Sequence, residues 1–136
     1  MFIQETDLYR AMRQEYIDEI KRQDNALPDH CISTAISEIK TYLRETYDTD
    51  LIFGKVDAER DTLLVTFAVD MAIYNLIELA PVGVDVEQKR LRYKRAIDWL
   101  KGVQKQDIKP DLPILENSPA QSAILSTSAE KRELRY

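Results

Sequence analysis

"TLLVTFAVDMAIYNLIELAP", Thr62 to Pro81, is the most apolar run of this 136-residue chain, and Asp70 stands at its centre. Three readings compete: a membrane span with a functional acid, a catalytic carboxylate, or a buried helix whose acid is paired. From Leu63 to Ala80 the run is nearly long enough to cross a bilayer. It also holds Thr66, Asp70, Asn75 and Glu78, and a central Asp costs about 2.5–3.5 kcal/mol on insertion scales. Pro81 and Gly83 then break it before a highly charged segment. The run therefore reads as a helix wrapped on most sides by protein. It begins between Asp57 and Asp61 and ends near Ala80, because the residue before a proline is pushed out of the α region.

The neighbours of this helix are also helical. Upstream, Ile32, Ala35, Ile36, Ile39, Leu43 and Tyr47 fall on a 3.6-residue stripe, and Pro28 or Asp29 opens that helix. Before it, Tyr9, Met12, Tyr16, Ile17 and Ile20 recur at spacings of three and four over Thr6 to Lys21, as one helix or two short ones. Downstream, Asp85 with Gln88 three residues later matches a capping box, and Gly102 stands where a C′ residue belongs. Tyr93, Ala96, Ile97, Trp99, Leu100 and Val103 give this last helix its buried face. Trp99 and Tyr93 thus read as core rather than as a platform for bases, which would come with a cationic groove. Lys94 and Asp98 form an exposed i,i+4 pair worth roughly a few tenths of a kcal/mol.

Two segments break the helical grammar. The connector "DTDLIFGKVDAERD", residues 48–61, carries Leu51, Ile52 and Phe53, which either fold back under the helices or meet another chain. After Pro113 the periodicity stops. Residues 114–136 mix small and polar residues with Ile124, Leu125, Leu134 and Tyr136, and Ala123–Thr127 and the last four residues are candidate short strands. Such a segment cannot order itself alone and reads as an arm that docks. The fold class is all-α: a small bundle of about four helices over residues 1–113, with an extended C-terminal arm over 114–136. Residues 48–56 and the arm are the expected self-assembly surfaces.

The formal net charge is −5, with 24 acidic against 19 basic residues, which argues against a protein that grips a phosphate backbone over a broad surface. The single cysteine, Cys31, cannot form an internal disulfide. "MFIQETDLYR" lacks a basic region followed by an apolar one, so a soluble cytoplasmic protein is expected.

No residue set suggests chemistry. His30 and Cys31 are adjacent, so they point to different faces, and no second His or Cys completes a zinc set. Asp48, Asp50, Asp57, Glu59 and Asp61 match no calcium-loop spacing and read as a solvated acidic rim. The three glycines form no phosphate cradle. Asp70 must be paired if buried, and the expected partner is Arg90, Arg92 or Arg95 of the last helix or Arg44 of the second, with the Tyr74 hydroxyl as a further donor. Catalytic, cofactor-binding and metal residues are accordingly expected to be none.

The order "DLYRAM", "AISEIKTYLRETYD", "FAVDMAIYNL" and "RYKRAIDWLKGVQKQDIKPDLP" resembles the Mu-type phage neck proteins, a family related to the small helical head–tail connector and adaptor proteins of tailed phages and prophages. The resemblance covers about residues 6–113, without the glycine-rich segment of the family after the last helix. It implies a structural virion protein without cofactor or enzymatic activity, assembled as a ring beneath the portal. Its partners would be copies of itself, the portal and tail proteins, and double-stranded DNA passing through without specific binding, with no membrane. It would occupy the host cytoplasm during assembly and then the neck of the virion. The competing class is a small helical adaptor outside any virus. Purified, tag-free protein is expected to hold no stoichiometric zinc and to turn over no nucleotide. Metal analysis and nucleotide assays check this, and activity lost on a point mutation would contradict it.

Overall fold

In the computed structural model the chain runs through six α-helices: α1 (Glu5–Leu8), α2 (Gln14–Gln23), α3 (Leu27–Leu43), α4 (Thr49–Phe53), α5 (Thr62–Leu79) and α6 (Val86–Gln104). A 3-10 turn at Asp57–Glu59 joins α4 to α5. The structure describes residues 1–116 apart from Pro81, Val82 and Val84. Among the described residues there is no strand, and Tyr47 pairs with Ile114 in one isolated antiparallel bridge. The fold is all-helical, as the periodicity predicts. The expected strands at Ala123–Thr127 and the end of the chain, and arm residues Ile124, Leu125, Leu134 and Tyr136, lie outside the described residues.

Helix α5 is the axis of the bundle. It packs against α3, α6 and α1, while α3 also meets α6 and α2. Eleven of its residues, from Leu64 to Ile77, are buried. A helix this apolar on most sides needs cover on most sides, and length and composition alone would also let it cross a bilayer. Its polar exceptions are Asp70, which is buried, and Asn75, whose buried Nδ2 has no hydrogen-bond partner among the described residues.

The helix ends follow local chemistry, with corrections to the sequence reading. Asp61 accepts from Leu64 N (2.9 Å) and Asp85 from Gln88 N (3.2 Å), capping α5 and α6. Helix α3 starts earlier than predicted, at Leu27, with Pro28 in its first turn, so Asp29 is not its cap. The first apolar pattern is two helices, because Arg13 is extended before α2 (ψ 138°). Gly102 is not the residue after α6 but lies within it. Its lack of a side chain makes room for Ile108, whose Cδ1 would sit 2.7 Å from a Cβ there. Gln106 takes the left-handed position instead (φ 66°). Its N–H donates to Val103 O, and that of Asp107 to Gly102 O, which closes the helix as a Schellman motif. Lys94 and Asp98 stay exposed without an ion pair; Arg90 and Glu87 pair instead (2.6 Å).

The connector is mostly intramolecular. Asp48 caps α4 by accepting from Leu51 N (3.1 Å). Ile52 and Phe53 are then buried, and the Phe53 ring meets Phe2 edge-on at 4.9 Å. Of the three apolar residues that could either fold back under the helices or meet another chain, two fold back and only Leu51 remains outside, at 53% exposure.

Arg60 locks this connector to the N-terminus. Its guanidinium donates to both Asp7 carboxylate oxygens (2.8 and 3.2 Å), to Phe2 O (2.9 Å) and to Asp57 O (2.8 Å). Both side chains of the pair are largely buried. Burial opposes ionisation of Asp7, but hydrogen bonds from Arg60 and Gln4 N, with the charges of Arg60 and Arg10, outweigh it and hold the carboxyl below its usual range. Removing one partner strands the other. Arg60→Ala is expected to cost about 3–5 kcal/mol in denaturant unfolding. The wild-type contribution of Asp7 is complete above the ordinary carboxylate range and fades as pH falls through its lowered folded-state pKa. Arg60→Ala should lose that part of the acid dependence.

Candidate functional site

One concavity of the described surface lies between the chain after α1, α5 and α6. The chain just after α1 contributes Arg10 and Ala11. One face of α5 gives Val65, Thr66, Val69 and Asp70, residues that helical spacing stacks together. Arg92 and Arg95, three apart on α6, form the other wall. The cavity measures about 290 Å³. A second one of about 400 Å³ adjoins it through Arg10 and Val65 and reaches Asp57 and Arg60. Lys89, one turn before Arg92, is buried and donates to Ala11 O at 2.6 Å, tying α6 to the chain after α1. Burial, then the charge of Arg92, pulls the Lys89 ammonium down, against Asp70 and Asp85.

Asp70 is 9% exposed, as expected, but the expected arginine bond is not made. Among the described residues it has neither a hydrogen bond nor an ion pair within 4.0 Å. Of the expected partners, Arg92 acts on Asp70 by its charge without a bond, and the other three are engaged elsewhere. Arg90 pairs with Glu87, Arg44 Nε reaches Lys40 O (3.5 Å), and the Arg95 guanidinium lies over Phe67 at 5.4 Å. Tyr74 stacks on Tyr93 at 4.7 Å, and Glu78 beside its hydroxyl pushes that phenol up. Burial raises the Asp70 carboxyl above its ordinary range, and the charges of Arg92, Lys89 and Arg95 offset this only in part.

The other residues singled out by sequence do not converge. His30 is exposed while Cys31 is buried, and burial pushes the Cys31 thiol up to about 11. Such a thiol is inert. In the acidic rim, Asp48 and Asp61 cap helices while Asp50, Asp57 and Glu59 are exposed. No group of His, Cys, Asp and Glu among the described residues is placed to hold a metal ion. Trp99 packs on Phe67 at 5.2 Å, and Tyr93 donates to Glu38 Oε1 at 2.7 Å. Both pack against the core, the side their spacing predicts, but are only partly buried rather than core residues. The groove itself went unread, because Arg10 and Arg92 are 82 positions apart and no local pattern joins them.

Residues 2–127 match the model of a protein family described as Bacteriophage Mu, Gp36. The chain belongs to that family. No curated protein and no solved structure matches it. The family match takes in all six helices and every residue of the groove. In this Gp36-family chain the groove is lined by three arginines and one acid together with apolar Ala11, Val65 and Val69. The Thr66 hydroxyl already donates to Thr62 O (3.1 Å). Such a lining suits charged contact.

A raised folded-state pKa means that the native state binds the Asp70 proton more readily than the unfolded chain. Stability is therefore lost as pH rises from the ordinary carboxylate range through the raised value. Asp70→Asn should melt at a higher temperature than wild type at neutral pH, and the gap should close in acid. A lower melting temperature at neutral pH would mean that the surrounding cations more than offset the burial of the charge.

Proposed function

We propose that this chain is a structural subunit of the phage head–tail connector, or neck. It assembles with copies of itself into a ring beneath the portal, extends the DNA channel and receives the tail. The observation that carries this reading is the family match over residues 2–127. It spans the same helices whose order and spacing resemble the neck proteins, so phage ancestry and a connector-like helical body meet in one stretch of chain.

Two further features support it. The groove holds charged and apolar groups with no activated nucleophile, in keeping with a role by contact rather than by catalysis. The net charge of −5 disfavours broad attachment to a phosphate backbone, which suits a channel that DNA must traverse without sticking. The partners are then the chain itself, the portal and tail proteins, and double-stranded DNA in passage. The protein would be made in the host cytoplasm and end in the virion neck.

Electron microscopy of concentrated, tag-free protein tests this. Closed rings of uniform diameter are expected. A protein that stays monomeric at every concentration, alone and with portal and tail proteins, would contradict the reading.

A further inference from the structure

The charges of the chain are segregated. Helix α6 carries Lys89, Arg90, Arg92, Lys94, Arg95 and Lys101 against only Glu87 and Asp98, in a chain whose net charge is −5. Among the described residues, Arg10, Arg92 and Arg95 have no ion-pair partner within 4.0 Å. They line the same cavity as Asp70, which is nine-tenths buried, feels the charges of Arg92 and Arg95, and has no hydrogen bond or ion pair among the described residues. The groove thus holds an excess of positive charge that its own described surface does not neutralise.

Complementary charge lies where α4, the connector and residues 111–113 meet. Glu59, Asp61 and Asp111 line a cavity of about 170 Å³ there, together with Ile52, Lys55 and Leu112. Asp50, Asp57 and Glu59 are exposed beside Leu51 and Val56, which are 53% and 49% exposed. This segment offers acids and apolar side chains together. The groove offers guanidiniums around an apolar floor.

We propose that the groove receives the acidic connector, residues 48–61, of a second copy of the chain. The proposal rests on the ring reading above and names its interface. The two patches differ, so the contact is head to tail, the kind that closes into a ring when the rotation allows. The exposed acids meet Arg10, Arg92 and Arg95, and Leu51 and Val56 face Ala11, Val65 and Val69. A DNA backbone fits this site less well, because phosphates make no use of an apolar floor. Opposed charges of this sort set register and suppress wrong pairings.

Charge reversal with mixing tests it. One variant carries Arg10→Glu and Arg95→Glu; the other carries Asp50→Lys and Glu59→Lys. All four side chains are exposed, and none of them caps a helix, so both variants should fold; Arg10→Glu/Arg95→Glu should melt somewhat below wild type, because Arg10 supports the Asp7 charge and Arg95 lies over Phe67. By analytical ultracentrifugation each variant alone should be monomeric, and an equimolar mixture should regain the wild-type assembly, since both of its cross-contacts are complementary. Should a reversed variant unfold, the milder Arg10→Gln/Arg95→Gln and Asp50→Asn/Glu59→Gln pairs serve, each weakening assembly. Wild-type association should weaken about tenfold or more between about 0.05 and about 0.5 M salt. Wild-type rings that both folded variants still form would overturn this interface and leave the ring reading standing. Folded variants whose mixture fails to assemble would also overturn it. A wild type that never assembles would overturn both. Retention of duplex DNA that Arg10→Glu/Arg95→Glu abolishes while rings persist would assign the groove to nucleic acid and overturn the proposal.

Discussion

Helix α5 is apolar on most sides of its length, so protein must cover it nearly all round, and that requirement sets the places of α1, α3 and α6. Burying a side chain such as Phe67, Ile73 or Leu76 is worth about 1.5–3 kcal/mol, and α5 supplies eleven buried residues. The flanking helices are amphipathic because each has only one face to give to α5. What remains on their outer faces is charge. On α6 that charge is mostly positive; on the connector that leads into α5 it is mostly negative. The electrostatic asymmetry of the molecule is therefore arranged around the way its central helix is wrapped.

The cover on the α1 side would be weak without Arg60. Helix α1 has four residues, too short to hold itself by its own hydrogen bonds. It is fixed by the Arg60 guanidinium, which joins Asp7, Phe2 O and Asp57 O, and by Lys89, which reaches Ala11 O. Those two cations bring Arg10 to the rim of the groove. The same packing leaves Asp70 buried with no donor in reach.

Much of the fold was legible in the sequence. Helices α3, α5 and α6 are long, and their apolar residues recur at helical spacing with Asp61, Asp85 and Pro28 near their starts. The same spacing placed Trp99 and Tyr93 in the core, and the structure has them only partly buried, packed against it. Local signals misled where one residue had two possible uses. Gly102 looks like a helix terminator, yet it serves close approach by Ile108 while Gln106 takes the left-handed turn. Leu51, Ile52 and Phe53 look alike, but capping by Asp48 starts a helical turn that sends two of them inward. The site was the least legible part. That Asp70 is buried could be read from its neighbours. Its lack of a bond depends on where Arg90, Arg92 and Arg95 direct their heads, which composition does not reveal. The Asp7–Arg60 lock joins residues 53 apart, beyond the reach of any periodicity.

The proposed contact sets the charged, partly apolar groove of one copy against the acidic connector of the next, in head-to-tail order. Cysteine cross-linking reads that order directly, because Cys31 is 1% exposed and leaves introduced thiols as the reactive ones. A chain carrying both Arg95→Cys and Glu59→Cys, oxidised under mild conditions, should give a denaturing-gel ladder that ends at one closed species. Each single variant should stay monomeric. A double variant that stops at dimers would indicate a two-fold contact, and one that stays monomeric while the protein assembles would place the interface elsewhere; either result contradicts the account.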